Sequence, residues 1–323
     1  MGISHYIKEI GRGARGARPL DRAQSQDLFA QVLDGTVTDL EIGAFCLAMR
    51  IKGETPAEMA GFLDATHARM ARLGSAGRAA IVIPSYNGAR KLPVLTPLLA
   101  LLLAREGHPV LLHGTQTEAR RVTAGAVLEL LGVAPLGQVR ALRAGEVAHI
   151  DTGLLNPGLK RLLAVRQVVG LRNPGHSVVK LMQPVAGDSV VLSSYTHPAY
   201  LESMVQTFGL LGMNALLSRG LEGESAADPR RIAQVDGYVR GERIELQAQA
   251  PGTLDQVPGL PEAIDAASTA AYTRDVLDGR LPVPEAIARQ VAQVERLCRL
   301  IASRPASAGT PSPAAAASAA MSP

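Results

Sequence analysis

Apolar positions recur at helical spacing through the first seventy residues and in short strand-like runs after Gly77. The early part predicts helices over about 21–33, from Asp39 and from Pro56. Thr38-Asp39-Leu40-Glu41 has Ser/Thr-x-x-Glu spacing ahead of an apolar run, so a capping box satisfies two orphan donors there. Thr55-Pro56-Ala57-Glu58 places proline at the first helical position after a capping threonine. Gly35 and Gly53 stand where the preceding helices should stop.

Beyond Gly77, strand candidates at 80–83, 110–113, 190–193 and 215–217 alternate with helices near 96–106, 124–131 and 199–212. The alternation predicts an α/β fold with a mostly parallel sheet. Asn156-Pro157 and Asn173-Pro174 open two further helices, over 159–169 and toward Met182. Residues 235–241 and 243–248 read as a hairpin around Gly241-Glu242, and helices from Pro261 and over 284–301 close the fold. The expected organisation is a small helical dimerisation domain, 1–75, joined by the helices of about 156–183, and an α/β domain of 78–155 and 184–303. The Ala/Ser/Pro-rich end, 304–323, is expected to be disordered.

Composition adds limits. A chain of 323 residues, 47% hydrophobic, can build the cores of two modest domains. With 3% aromatic residues and no Trp, an aromatic base-stacking platform is disfavoured. Cys46 and Cys298 lie in apolar helical contexts, where buried thiols are expected rather than a disulfide framework or zinc site. No apolar run reaches the length of a membrane span, and the stretch after Met1 lacks a signal-peptide core, so a soluble cytoplasmic protein without a membrane partner is expected.

The net charge is only +4, but it is segregated. Residues 152–187 carry no Asp or Glu, yet include Lys160, Arg161, Arg166, Arg172 and Lys180. Residues 70–91 are also free of acids and include Arg72, Arg78, Arg90 and Lys91. Arg12, Arg15 and Arg18 add a basic N-terminal turn, whereas 222–285 holds 12 acids against 6 bases. Such segregation points to a basic face serving a polyanion; any one of these pairs by itself is equally a solvated helix face.

The most informative turn is Pro84-Ser85-Tyr86-Asn87-Gly88-Ala89-Arg90-Lys91, between the first strand and its helix. That position suits a phosphate. A loop that wraps a small phosphorylated ligand closely needs several glycines; this one has Gly88, a bulky Tyr and an Arg-Lys pair.

Residues 33–38, 42–45, 48–55 and 58–61, including Lys52-Gly53-Glu54-Thr55, resemble the N-terminal helical domain of the anthranilate phosphoribosyltransferases. The resemblance continues through 110–114, 128–132, Asn156-Pro157-Gly158-Leu159-Lys160-Arg161 and Gly170-Leu171-Arg172-Asn173, and reaches about Ala250. It implies the nucleoside phosphorylase type of fold and, for an active member, transfer from magnesium-bound phosphoribosyl pyrophosphate. The departures fall on the chemistry. The family's Gly-Thr-Gly-Gly-Asp loop is Ser85-Tyr86-Asn87-Gly88-Ala89 here, and its His-Gly-Asn-Arg is His113-Gly114-Thr115-Gln116. The adjacent Asp-Glu pair that binds magnesium corresponds to Glu222 and Glu224, separated by Gly223. Positioning and electrostatic stabilisation of the donor are weakened together.

The loop 85–91, the stretch 170–181 and residues 219–231 resemble a divergent, YbiB-type branch of that family. The resemblance implies a homodimer joined through the helical domains and binding of DNA and RNA without sequence preference. The expected nucleic-acid contacts are Arg12, Arg15, Arg18, Arg90, Lys91, Arg120, Arg121, Lys160, Arg161, Arg166, Arg172 and Lys180. Ser85, Asn87, Gly88, His113 and Gly114 form the expected vestigial phosphate site, with Glu222 and Glu224 as weak magnesium ligands; no catalytic residue is assigned and no cofactor is required.

Individual residues keep a second reading. Arg90 and Lys91 could be a solvated pair at a helix start, although cations there oppose the dipole. Lys160, Arg161 and Arg166 cannot share one helical face, so two are expected to serve nucleic acid and one to be structural. Arg172 stands where the family's acceptor-recognising arginine falls, or makes an interhelical hydrogen bond. His113 and His176 read as core or cap histidines, and Ser193-Ser194-Tyr195 as a strand end without a nucleophile elbow. The functional expectation is a nucleic-acid binder. The rivals are an active phosphoribosyltransferase with an unidentified acceptor and a small-molecule sensor using the old cleft.

Overall fold

The computed structural model describes residues 2–13 and 15–303, so the expectation for 304–323 lies outside the described residues. Four helices come first: α1 (Ser4–Ile10), α2 (Arg22–Asp34), α3 (Asp39–Lys52) and α4 (Pro56–Ala68). Then follow β1 (Ala80–Pro84), α5 (Thr96–Arg105), β2 (Val110–His113), α6 (Ala124–Leu130) and β3 (Val147–Ile150). The second helical insertion is α7 (Thr152–Leu155), α8 (Pro157–Val169) and α9 (Gly175–Val178). The chain closes with β4 (Ser189–Tyr195), α10 (Pro198–Leu211), β5 (Ala215–Arg219), β6 (Val235–Val239), β7 (Glu242–Gln247), α11 (Ala266–Leu277) and α12 (Glu285–Ser303).

Capping fixes the helical domain locally. The expected boxes at Thr38/Glu41 and Thr55/Glu58 are present, and Asp21/Gln24 supplies another at α2. Glu58 reaches further. Fully buried, it accepts the Leu20 N–H at 3.0 Å and the Lys52 ammonium at 2.6 Å, tying the loop before α2 to the α3–α4 junction. α2 and α4 cross at Gly61, where a Cβ would come 2.3 Å from the Arg22 carbonyl oxygen, so only glycine permits the approach. Phe29 and Phe62 stack beside that crossing at 4.6 Å.

The sheet order is β3-β2-β1-β4-β5-β6-β7, parallel from β3 to β5 and antiparallel through β6 and β7. Alternation along each strand sorts two cores. Ala80, Val82, Leu111, Val191 and Leu217 face the helical domain. Ile81, Ile83, Val110, Leu112 and Leu216 face the layer of α5, α6, α11 and α12. The parallel strands are therefore buried on both sides, which explains their continuous apolar runs.

Several sequence expectations need correction. The spacing gave no warning of α1 or β3; β3 carries His149 among apolar residues and pairs with β2 through Leu112↔His149. The helix expected from Pro261 starts at Ala266, where Asp265 caps it through the Ser268 N–H at 2.7 Å. The stretch from Asn173 to Met182 yields only the single turn of α9. Arg90 and Lys91 precede α5 by an irregular segment, so they do not oppose its dipole.

Candidate functional site

At the C-terminal edge of β1, the loop 85–91 is latched by two carboxylates from the loop after β5. Buried Glu224 accepts the Ser85 hydroxyl at 2.7 Å, the Gly88 N–H at 2.9 Å and the Thr96 hydroxyl at 2.9 Å. Glu222 accepts the N–H groups of Arg90 and Lys91 at 2.8 and 2.9 Å, and the Arg90 Nε at 3.2 Å. Both carboxylates reach one loop because the backbone turns through two left-handed residues, Glu222 at φ 56° and Gly223 at φ 88°. A glutamate in that region is uncommon and persists only when its surroundings hold it there.

The loop side chains fill the space behind. Asn87 is buried, accepts an Arg172 N–H at 2.6 Å and donates to the Gly223 carbonyl at 3.4 Å. Tyr86 is buried as well and donates to the His176 carbonyl at 2.8 Å; burial raises its phenol to about 12. Gly114 lies against the Ser85 backbone, where a Cβ would stand 2.1 Å from its carbonyl oxygen. His113 is fully buried with neither ring nitrogen hydrogen-bonded, and burial, aided by His149, lowers it to about 3. The phosphate reading of this set therefore changes: the Ser85 hydroxyl and Gly88 N–H already face an anion, the chain's own Glu224.

Outside the latch lies a basin of about 350 Å³ lined by Arg90, Lys91, Arg121, Arg219 and Arg231, with Glu222 and Asp228 on its floor. Arg121 donates to the Gly88 carbonyl at 3.3 Å and stands 3.9 Å from Glu222. Arg231 pairs with Asp228 at 3.0 Å. The Lys91 and Arg219 side chains are exposed and make no hydrogen bond or ion pair among the described residues. Arg219 and Arg231 were absent from the expected contacts. The readable signal was Arg219 itself, directly after an apolar strand and therefore at its C-terminal edge.

A second cavity, about 310 Å³, separates the helical domain from the sheet. Its lining includes Met49, Arg50, Glu54 and Met59 from the helical domain, Tyr195 and Met204, and Arg172, His176 and Lys180. Lys180 donates to the Ser194 carbonyl at 3.1 Å; burial and the Arg172 charge lower its ammonium to about 8. Burial likewise lowers His176 to about 3.

The remaining expected contacts do not converge on the basin's lining. Lys180 and Arg172 sit in the interdomain cavity, and Arg172 bonds Asn87 of the loop 85–91, a loop contact rather than an interhelical one. Arg161 donates to the Leu33 carbonyl at 2.8 Å, Lys160 pairs with Asp151 at 2.9 Å, and Arg166 pairs with Glu118. Arg161 and Arg166 are thereby structural on this geometry. Arg12 pairs with Glu9 at 2.6 Å, and Arg18 lies 4.0 Å from the same carboxylate. Arg15 and Arg120 are exposed.

Residues 4–70 match a family model described as the glycosyl transferase family, helical bundle domain. The chain is 41% identical over 300 residues to the uncharacterized protein YbiB of Escherichia coli (strain K12), covering 90% of this chain and 93% of YbiB. It is 27% identical over 282 residues to the anthranilate phosphoribosyltransferase of Novosphingobium aromaticivorans, covering 81% of each chain. Among solved structures, the fold matches anthranilate phosphoribosyltransferase from Thermus thermophilus with TM-score 0.68 at 21% identity, over 91% of this chain and 97% of that one. It also matches the Saccharomyces cerevisiae enzyme in complex with PRPP and Mg, with TM-score 0.66 at 12% identity, over 92% and 88%.

Proposed function

The chain belongs to the anthranilate phosphoribosyltransferase-like family, and on that premise we propose that it is a nucleic-acid-binding protein without sequence preference, built on a transferase scaffold whose donor site is closed by its own carboxylates. The observation that carries this reading is the latch: Glu222 and Glu224 engage the backbone and hydroxyl donors of the loop that would otherwise meet a phosphate.

Magnesium with phosphoribosyl pyrophosphate does not fit these residues. Every carboxylate oxygen of Glu222 and Glu224 accepts a donor from the loop, which holds both groups against that loop rather than open toward a cation. Among the described residues, no group of three or more His, Cys, Asp or Glu side chains could hold a metal ion.

The basin supports phosphate contact instead. Its cations converge from four separate segments, and Lys91 and Arg219 extend toward solvent. Contacts of this kind neutralise backbone phosphates and carry little base information. A second copy of the chain is the occupant for the outer face of α3. Leu40, Leu47 and Ile51 lie on one stripe there and are 84%, 47% and 58% exposed. Two-fold pairing through that stripe would unite two basic surfaces.

An electrophoretic titration with single-stranded DNA, double-stranded DNA and RNA tests the reading. With about six phosphate contacts, affinity falls roughly a thousandfold between about 50 and about 200 mM salt for every sequence tried. In parallel, magnesium, phosphoribosyl pyrophosphate and anthranilate give no loss of anthranilate fluorescence above background. Turnover without salt-sensitive binding would instead establish an active transferase.

A further inference from the structure

The interdomain cavity has a chemistry that the basin does not use. Lys180 makes one hydrogen bond, to the Ser194 carbonyl, and no ion pair among the described residues. Glu224, the acid whose charge it feels, is already engaged by Ser85, Gly88 and Thr96. Arg172 lines the same cavity, as do Arg50 and Glu54; the Glu54 carboxyl, pushed up by burial, interacts with Lys52 and Arg50, whereas the charges acting on Lys180 are those of Arg172 and Glu224. One buried polar atom there, His176 Nε2, has no hydrogen-bond partner, although its residue is only 4% exposed. Buried polar groups of this kind need a partner, and a bound oxygen would supply one. Met49, Met59 and Met204 add apolar surface to the lining.

We propose that Lys180 is the amine of a carbonyl-capturing site, in which a small aldehyde or α-keto acid bearing a carboxylate condenses with Nζ to form an imine. The Arg172 guanidinium holds the ligand's carboxylate, and His176 Nε2 meets the carbonyl oxygen. The neutral Nζ lone pair adds to the carbonyl carbon while the C–O π pair moves to oxygen. The two N–H protons then pass to that oxygen, which leaves as water, and the C=N bond forms. Atoms and electrons balance without an oxidant or reductant. Burial supports the step, because an amine lowered to about 8 has on the order of a hundredfold more free base at neutral pH than an ordinary lysine. This inference does not depend on the nucleic-acid reading, which uses the other side of the latch.

The test uses the full chain, glyoxylate as the carboxylate-bearing probe, acetaldehyde as the neutral one, and borohydride to trap the imine. Peptide mapping separates Lys180 from Lys8, Lys52, Lys91 and Lys160. Glyoxylate should label Lys180 about tenfold or more faster than exposed Lys8 and Lys160 at neutral pH. Lys180→Arg should remove that label while leaving the thermal midpoint nearly unchanged. Arg172→Gln should reduce labelling by glyoxylate more than labelling by acetaldehyde. Labelling of Lys180 at the rate of Lys8 would overturn the proposal, as would an Arg172→Gln protein that keeps its preference for glyoxylate.

Discussion

Glu224 accepts the backbone N–H of Gly88 at 2.9 Å across 136 positions of sequence. In doing so it places a carboxylate where a loop at the end of a parallel strand ordinarily presents donors to a ligand's anion. The protein carries that anion itself. Removing it should leave the Ser85 and Thr96 hydroxyls and the Gly88 N–H without a partner in a buried setting. Glu224→Ala is therefore expected to lower unfolding free energy by about 2–3 kcal/mol, with Glu224→Gln losing less. Urea titration measures the loss, and faster hydrogen exchange at Gly88 would locate it.

The basic residues divide by their partners. Replacing Lys91 and Arg219, whose side chains face solvent without partners among the described residues, should weaken every nucleic-acid sequence alike and flatten the salt slope by about two contacts. Arg161→Ala should instead lower stability, because its guanidinium satisfies the Leu33 carbonyl. Filter-binding slopes and melting curves separate the two effects. Equal loss of affinity from both sets would remove the basin from the binding surface.

Acid should destabilise the fold early. His67, His113 and His176 are lowered to about 4, 3 and 3, burial being the leading cause in each. Their folded values lie below the unfolded one, so the unfolded chain binds more protons as pH falls from about 6.5 toward 3. The stability they contribute is complete above about 6.5 and is lost through that window, by roughly 1.4 kcal/mol per pH unit for each histidine that stays neutral. His113→Leu, which removes an imidazole with no hydrogen bond, should shift the acid midpoint downward. Circular dichroism against pH is the measurement.

Self-association should depend on α3. Leu47→Glu together with Ile51→Glu puts two charges on a stripe that is already exposed, so the fold should survive. Light scattering is expected to change from dimer to monomer at micromolar concentration. A wild-type chain that scatters as a monomer would end the pairing model.

Much of this architecture was legible in the linear chain because it rests on local rules. Thr38/Glu41 and Thr55/Glu58 set helix starts through contacts three residues apart, and the apolar runs at Ile81 and Leu111 marked strands buried on both faces. β3 escaped because His149 breaks its apolar run, and only pairing with β2 makes those residues a strand. The glutamates show the limit most clearly. Their spacing showed an intervening glycine in place of an adjacent pair, but not where either carboxylate points. Glu222 and Gly223 both adopt left-handed backbone, which swings the two side chains onto a loop more than a hundred residues away. Likewise, Lys180 read as one more cation in an acid-free stretch, and only the tertiary fold enclosed it beside Arg172 in a cavity between the helices and the sheet. Local hydrogen bonds and periodicity belong to the sequence. The direction of a side chain, and the protonation that its surroundings permit, belong to contacts that exist only once distant segments have packed.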